Sequence, residues 1–269
     1  MSKAHSKTIL MCPPEYFDIE YEINPWMHTS DPVNPSEAAR QWRHLHHIYT
    51  EKLGWDVQTI DPVEGLPDMV FTANGALVVN GKVVLPTFRH PDRQPETAKF
   101  REWFEAHGYQ DFLQTKYDNE GEGDILYWNG KLFAGYPWRT TKEAHHEIAE
   151  FLGVEVINIQ LADARFYHLD TCLTIVSDDT VALWPQAFTE ASLKAIRQTV
   201  PNVIEASDED ALVYGLNAMS DGQNIVLSDR ATGLIHQYRE RGMTVYPTPI
   251  SEFQKSGGGV KCLTLELRS

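Results

Sequence analysis

Cysteine is scarce in this chain. Three occur in 269 residues, at Cys12, Cys172 and Cys262. An odd, widely spaced set makes neither a disulfide framework nor a CxxC metal pair, so free cytosolic thiols are expected, any one of which could be reactive. Long apolar runs are missing too, and none approaches a membrane span. The opening segment Met1-Ser2-Lys3-Ala4-His5-Ser6-Lys7 carries no secretory apolar region ahead of Cys12-Pro13-Pro14, which argues for a cytoplasmic protein. Positive charge is in short supply: 23 Lys and Arg face 38 Asp and Glu, a formal net charge of −15. That balance disfavours nucleic acid and anionic membranes as partners and suits a small cationic ligand. The eleven histidines form no HExxH pair. His44, His46 and His47, like His145 and His146, read as exposed helix positions with no thiol or carboxylate to complete a ligand set, so no metal is expected. No low-complexity linker or composition break marks a domain boundary, although the length alone allows one large domain or two small ones. A homo-oligomer is compatible with the sequence and is not specified by it.

What the chain does have is recurring turns. Asn80-Gly81 and Asn129-Gly130 each lie between apolar runs, a strong signal for type I′ hairpins. Ser177-Asp178-Asp179-Thr180 and Asp221-Gly222-Gln223 continue the series. Turns at 80, 129, 178 and 221 recur at intervals of 49, 49 and 43 residues. After each comes a helical pattern: Pro95 to His107, Thr141 to Leu152 with Thr141 as N-cap, Thr189 to Val200, and Asp229 to Arg241 ending at Gly242. A short strand follows each helix, at Tyr109 to Leu113, Glu155 to Ile159, Val203 to Glu205 and Thr244 to Tyr246. The unit is ββαβ, four times, and a fixed period points to repeated supersecondary units. A fifth unit is split between the ends: a strand from Cys262 to Leu267 pairs with Thr8 to Met11, and Ser36 to Leu53 supplies the helix. The expectation is an α/β fold with pseudo-fivefold symmetry, a ring closed by both termini. An ordinary α/β sandwich with coincidental spacing is the alternative.

The chemically able residues share a phase within the repeat. Asp68 to Asn74, Glu120 to Asp124, His168 to Cys172 and Asn217 all lie just upstream of a hairpin turn, and each cluster is expected to open the first strand of its hairpin. In a ring these points meet at the axis. The run Ser256-Gly257-Gly258-Gly259-Val260-Lys261-Cys262 then delivers a cysteine to the same place, since glycines permit close backbone approach. Each cluster also has an ordinary explanation: an exposed acidic turn, a core histidine, a small buried cysteine. Together a thiol, a histidine and carboxylates suit thiolate attack on an electrophilic carbon with histidine as acid and base. A guanidinium pairs with carboxylates through a fork of N–H donors, so arginine or a derivative fits as substrate. A Cys–His–acid protease is the rival, but nothing protease-like surrounds Cys262.

With these residues assembled, the chain resembles the guanidine-modifying, or pentein, superfamily. The resemblance rests on Leu10-Met11-Cys12-Pro13-Pro14, Ile23-Asn24-Pro25-Trp26-Met27, Asp68-Met69-Val70-Phe71-Thr72-Ala73-Asn74, Glu120-Gly121-Glu122-Gly123-Asp124, Phe166-Tyr167-His168-Leu169-Asp170-Thr171-Cys172 and Lys261-Cys262-Leu263-Thr264-Leu265. It covers nearly all of 1–269 and looks most like a single-domain arginine dihydrolase module. It implies a five-bladed propeller of ββαβ units that uses no cofactor, organic or metallic. By position it implies Cys262 as nucleophile, His168 as general acid and base, and Glu120 as the carboxylate that holds the guanidinium and orients the histidine. Asp170 matches a second guanidinium-binding carboxylate. Dimethylarginine hydrolases tend to carry lysine there, so Asp170 tilts the choice towards unmodified arginine. Arg93 and Arg139 match arginines that clamp the substrate α-carboxylate, with surface salt bridging as their ordinary alternative. Asn24 and Asn217 are further candidate substrate contacts.

One departure bears on the reaction. Most of the superfamily has aspartate where this chain has Asn74. A neutral amide both donates and accepts, so it can hold a neutral ureido group as well as a guanidinium. The expected activity is therefore arginine dihydrolase, giving ornithine, ammonia and carbon dioxide. Arginine deiminase and dimethylarginine dimethylaminohydrolase are the alternatives, and a non-catalytic arginine-binding protein is the alternative of another class. Cys12 and Cys172 read as structural, and Pro13 to Met27 as an entry loop.

Overall fold

The computed structural model describes residues 6–269; residues 1–5, part of the opening segment noted above, lie outside it. The chain begins with strand β1 (Thr8–Met11), helix α1 (Pro35–His47) and strand β2 (Asp56–Thr59). Asn34 caps α1 by accepting from the Glu37 amide, and Pro35 occupies its first turn, where a missing N–H costs nothing. Four units follow. They are β3 (Leu77–Val79), β4 (Lys82–Leu85), α2 (Glu96–Ala106) and β5 (Phe112–Gln114), then β6 (Ile125–Trp128), β7 (Lys131–Tyr136), α3 (Lys142–Leu152) and β8 (Glu155–Gln160). Next come β9 (Leu173–Ser177), β10 (Thr180–Leu183), α4 (Glu190–Thr199), β11 (Asn202–Glu205) and the short α5 (Asp208–Leu212). The last full unit is β12 (Met219–Ser220), β13 (Asn224–Ser228), α6 (Thr232–Glu240) and β14 (Thr244–Thr248), before the one-turn α7 (Ser251–Gln254) and β15 (Leu265–Glu266).

The strands form five three-stranded sheets, and all five repeat one pattern. A middle strand pairs antiparallel with its hairpin partner and parallel with the strand after the helix. The parallel pair needs a crossover, which the helix supplies. In the closing sheet β1 takes the middle place, antiparallel to β15 and parallel to β2. This is a five-bladed, pseudo-fivefold α/β propeller. Apolar side chains fill the spaces between blades; Leu126 and Phe133 of one blade share a cluster with Leu173, Val181 and Leu183 of the next. The hairpin turns form as their Asn-Gly pairs dictate: Asn80 and Asn129 adopt φ of 52° and 48°, with Gly81 and Gly130 also positive. Thr141 caps α3 as expected.

Several expectations are corrected. Cys262 to Leu267 is not one strand; only Leu265–Glu266 is extended. Residues around Cys262 make a helical turn, with the Leu263 amide donating to Gly259 O at 3.2 Å and the Thr264 amide to Lys261 O at 2.9 Å. The Cys262 amide goes to the Asn217 side chain, so it has no ladder to join. The third strand of the closing blade, β2, has too little apolar alternation to be read from sequence. The polar clusters do not open the first strands; they occupy 3₁₀ turns at Pro67–Val70, Thr72–Gly75, Gly121–Gly123 and Leu169–Thr171, just ahead of them. His145 is buried on α3, its ring against Asn158 Oδ1 at 2.7 Å and Gly135 O at 3.2 Å. Among the described residues no helix is long and apolar enough to cross a membrane.

Candidate active site

The 3₁₀ turns of neighbouring blades meet and bring their polar residues together. A strand cannot aim several adjacent side chains at one point, because successive residues alternate faces; a tight helical turn can. Glu120, His168, Asp170, Asn217 and Cys262 are all buried there, as are Asn74, Arg93 and Arg139.

The thiol is held from two blades. Asn217 accepts the Cys262 amide at 3.0 Å through Oδ1 and donates from Nδ2 to the sulfur at 3.1 Å. The same Nδ2 reaches Asp170 O at 3.1 Å. The thiol donates to Asp170 Oδ2 at 3.3 Å. Burial pushes the thiol pKa up, and the Asp170 charge adds to that. Burial also raises Asp170, to about 7, against the pull of Lys261 and its own hydrogen bonds. In the free protein the sulfur is therefore a protonated thiol hydrogen-bonded to Asp170.

The glycine run makes this approach possible. Gly257 has φ of 78°, and a Cβ there would stand 2.9 Å from both Asn24 Oδ1 and Tyr167 Oη. A Cβ on Gly258 would come within 2.1 Å of the Phe71 ring, and one on Gly259 within 2.8 Å of Asn217 Oδ1. The loop is tied on both sides: Tyr167 donates to Gly257 O at 2.7 Å, and Asn24 to Ser256 O at 3.1 Å.

His168 meets Glu120 through Nε2 and Oε2 at 2.8 Å. A carboxylate there fixes the proton on Nε2 and leaves Nδ1 as the ring's acceptor. Arg139 donates to the same Oε2 at 2.8 Å, lies over the Tyr167 ring at 4.7 Å, and reaches Ile23 O at 2.9 Å. Burial alone would raise Glu120; the Arg139 guanidinium and His168 outweigh it and hold the carboxyl below the usual range. Burial lowers His168 to about 4, beyond what Glu120 restores, so its ring is neutral at pH 7.

Arg93 is not at the surface. Nε and Nη2 grip the Glu96 carboxylate at 2.8 Å each, Nη2 also reaches Asp68 O at 3.2 Å, and Nη1 donates to Asn74 Oδ1 at 2.8 Å. That last bond orients the Asn74 amide so that Nδ2 turns towards Glu120 O, at 3.4 Å. Arg93 thus stands behind Asn74, and Arg139 is engaged with Glu120. Asn24 is spent on backbone, accepting from the Trp26 and Met27 amides and donating to Ser256 O.

Asp68 was not singled out from the sequence. Buried, it accepts from Tyr21 Oη at 2.9 Å and Ser256 Oγ at 3.4 Å, and so joins the Pro13 to Met27 segment to the glycine run. It begins the Asp68 to Asn74 segment, but it lies twelve residues before its hairpin turn where Glu120 lies nine before, so repeat phase does not single it out. Tyr167 carried no signal beyond its place beside His168.

Among the described residues, Glu120 Oε1 and Asp170 Oδ1 in this centre, like the neighbouring Asp124 Oδ2, are buried carboxylate oxygens with no hydrogen-bond partner. A buried acceptor without a donor costs free energy that a bound donor would recover. A model of the eukaryotic N,N-dimethylarginine dimethylhydrolase family matches residues 14–269. The chain belongs to this family, within the pentein superfamily. The N(G),N(G)-dimethylarginine dimethylaminohydrolase of Mycobacterium tuberculosis is 43% identical over 257 residues, covering 96% of this chain and 84% of that one. The bifunctional arginine dihydrolase/ornithine cyclodeaminase ArgZ of Synechocystis is 38% identical over 268 residues, 96% of this chain against 37% of ArgZ. The N-terminal domain of ArgZ bound to product matches with a TM-score of 0.93 at 37% identity, over 98% of each chain. An asparagine-to-serine variant of that domain, covalently bonded to a reaction intermediate, matches with a TM-score of 0.92. This member of the family is a hydrolase of C–N bonds in amidino groups.

Proposed function

We propose that the chain is an arginine dihydrolase working through a covalent thiouronium on Cys262. The observation that carries this reading is the pair of partnerless buried oxygens, Glu120 Oε1 and Asp170 Oδ1, in a centre that also holds a thiol and a neutral amide. A guanidinium supplies N–H donors in a rigid fork and brings the positive charge that two carboxylates call for. Its charge also favours the thiolate that the free site disfavours.

In this reading the thiol proton passes to His168 Nδ1 as sulfur bonds to the guanidinium carbon. His168 returns that proton to the departing nitrogen, the C–N bond breaks and ammonia leaves. Water, deprotonated by His168, attacks the S-alkylthiouronium; the C–S bond breaks, the thiol regains its proton and citrulline results. A second attack on the ureido carbon expels another ammonia, and hydrolysis of the thiocarbamate yields a carbamate that loses carbon dioxide to leave ornithine. Asn74, oriented by Arg93, serves this second round because its amide donates to a neutral ureido oxygen as aspartate would not. Arg139 is the candidate for the α-carboxylate; Asn217 holds the sulfur.

The test is incubation with L-arginine followed by mass spectrometry of the products. Ornithine with two equivalents of ammonia supports the reading. Citrulline as sole end product replaces it with a deiminase. The 43% identical relative motivates a parallel incubation with asymmetric dimethylarginine; dimethylamine release with arginine inert would move the chain to that activity. Cys262→Ser is expected to abolish turnover, and retained activity removes Cys262 as nucleophile.

A further inference from the structure

His168 holds the N-cap position of the 3₁₀ turn Leu169–Thr171, where a polar side chain ordinarily accepts from the free amides of the turn. Its ring is spent on Glu120 instead, Nε2 to Oε2 at 2.8 Å, and caps nothing. The first amide of the turn finds its acceptor on the neighbouring blade: Leu169 N–H donates to Asp124 Oδ1 at 3.1 Å.

Asp124 belongs to the segment that carries Glu120. Its amide donates to Gly121 O at 3.3 Å, closing the Gly121–Gly123 turn, and its carbonyl accepts the Gly135 amide of β7 at 2.8 Å. The Glu120 amide is tied separately, to the Thr140 hydroxyl at 3.1 Å. Two bonds therefore join the same pair of blades side by side, Glu120 to the His168 ring and Asp124 to the residue after it. One bond fixes a distance; a second, on adjacent backbone, also fixes the direction from which the ring arrives.

The contact is built closely. A Cβ on Gly135 would stand 2.9 Å from Leu169 Cβ and 3.0 Å from Asp124 Oδ1, so a glycine is what lets the two meet. Asp124, Leu169 and Thr140 are all buried. Burial pushes the Asp124 carboxyl well above the usual carboxylate range; the Thr140 hydroxyl and the Leu169 amide offset part of this, and the Glu120 and Asp170 charges add to it. Oδ2 has no partner, so the contact with the His168 turn uses Oδ1 alone.

We propose that Asp124 is a positioning residue for the hydrolysis, which acts through the Leu169 amide to hold the His168 ring against Glu120. The inference rests on the roles given above to His168 and Glu120. Because a single acceptor oxygen does the holding, the amide of asparagine can replace the carboxyl.

The test uses the full chain labelled with 15N-histidine. It has eleven histidines, and His168→Asn assigns the ring signals of interest. In wild type they are expected to show one neutral tautomer, with the proton on Nε2. Asp124→Asn should keep that signature, and kcat for the substrate that wild type turns over should stay within about threefold. Asp124→Ala leaves a buried amide without an acceptor. Its His168 signals should report a mixture of tautomers, and kcat should fall on the order of a hundredfold while KM stays within about threefold. Gly135→Ala keeps the carboxyl and wedges the contact apart. It should reproduce the loss, and it stands in for Asp124→Ala should that variant not fold. The proposal fails if either folded alanine variant keeps both the ring signature and kcat, or if a folded Asp124→Asn loses them. Wild type inert towards arginine and dimethylarginine alike would overturn the catalytic reading and this inference together; active wild type with unchanged variants overturns this inference alone.

Discussion

At the scale of the residue, the two carboxylates of the centre differ: Arg139 and His168 stabilise the Glu120 charge, while burial works against that of Asp170. Asp170 is raised to about 7 by burial, whereas an unfolded aspartate titrates at about 3.9. Between those values the folded chain holds a proton that the unfolded chain has lost. Stability therefore falls as pH rises through that window. Asp170→Asn removes the charge and hence the cost. Its thermal midpoint is expected to exceed wild type at about pH 8, with the gap closing as the pH is lowered towards 5. A gap that is constant with pH would show that Asp170 titrates normally. The same substitution removes one carboxylate from the guanidinium, so kcat/KM for arginine should fall by roughly a hundredfold or more, consistent with breaking a buried pair. In wild type, kcat/KM should lose activity below about pH 7 as Asp170 takes up its proton, and that acid limb should vanish in the variant. Asn74→Asp tests the other side of the site. It restores a charge beside Arg93 and is expected to retain arginine consumption while citrulline accumulates. Continued ornithine formation would take Asn74 out of the second round.

At the scale of the element, short turns do what strands cannot. The hairpins, helices and their order were legible because Asn-Gly turns, N-caps and apolar periodicity are local properties. The turns that carry the proposed site residues were legible only as clusters upstream of each hairpin. Pro67–Val70 and Leu169–Thr171 are 3₁₀ segments closed by local bonds and held by distant side chains, Arg93 on Asp68 O and Asp124 on the Leu169 amide, which a strand pattern in the sequence does not reveal. Cys262 was expected in a strand for the same reason; the bond that removes its amide from a ladder comes from Asn217, 45 residues away. Arg93 carried no sequence sign that its partners would be Glu96 and Asn74, and so read as an exposed clamp. The glycine run was legible in kind, and its dimensions make it testable. Gly258→Ala places a methyl 2.1 Å from the Phe71 ring, which itself packs edge-on to Phe17 at 5.6 Å. Overpacking of this kind costs about 1–3 kcal/mol. Chemical unfolding should show that loss, and because the displaced segment carries Cys262, kcat should fall more than KM rises. An unchanged kcat would mean that the loop and the thiol move independently.

At the scale of the molecule, the ring joins its own ends. β1 and β15 pair within one sheet, Ile9 opposite Glu266 and Leu10 opposite Leu265, and the Leu267 amide donates to Thr8 O at 2.9 Å. Four blades have a covalent hairpin between their first and second strands; the closing blade has only this pairing. If the five blades are equivalent in architecture, the covalent break should be movable from one hairpin to another. A circular permutant can join residue 269 to residue 6 through a short Gly-Ser linker and open between Asn129 and Gly130, both exposed at a turn tip. In it β6 and β7 would be held by pairing alone, across the four-pair register from Ile125 opposite Ala134 to Trp128 opposite Lys131. That register is longer than the two-pair contact that closes the native ring. The permutant is therefore expected to fold cooperatively, with a thermal midpoint within about 10 °C of wild type, since a hairpin connection mainly restrains the unfolded chain. Its catalytic constants should stay within roughly tenfold, because no turn carrying a proposed site residue is cut. Circular dichroism melts and the arginine assay check both. A permutant that folds only when 129–130 is rejoined would show that blade order in the chain, and not the ring alone, specifies the structure.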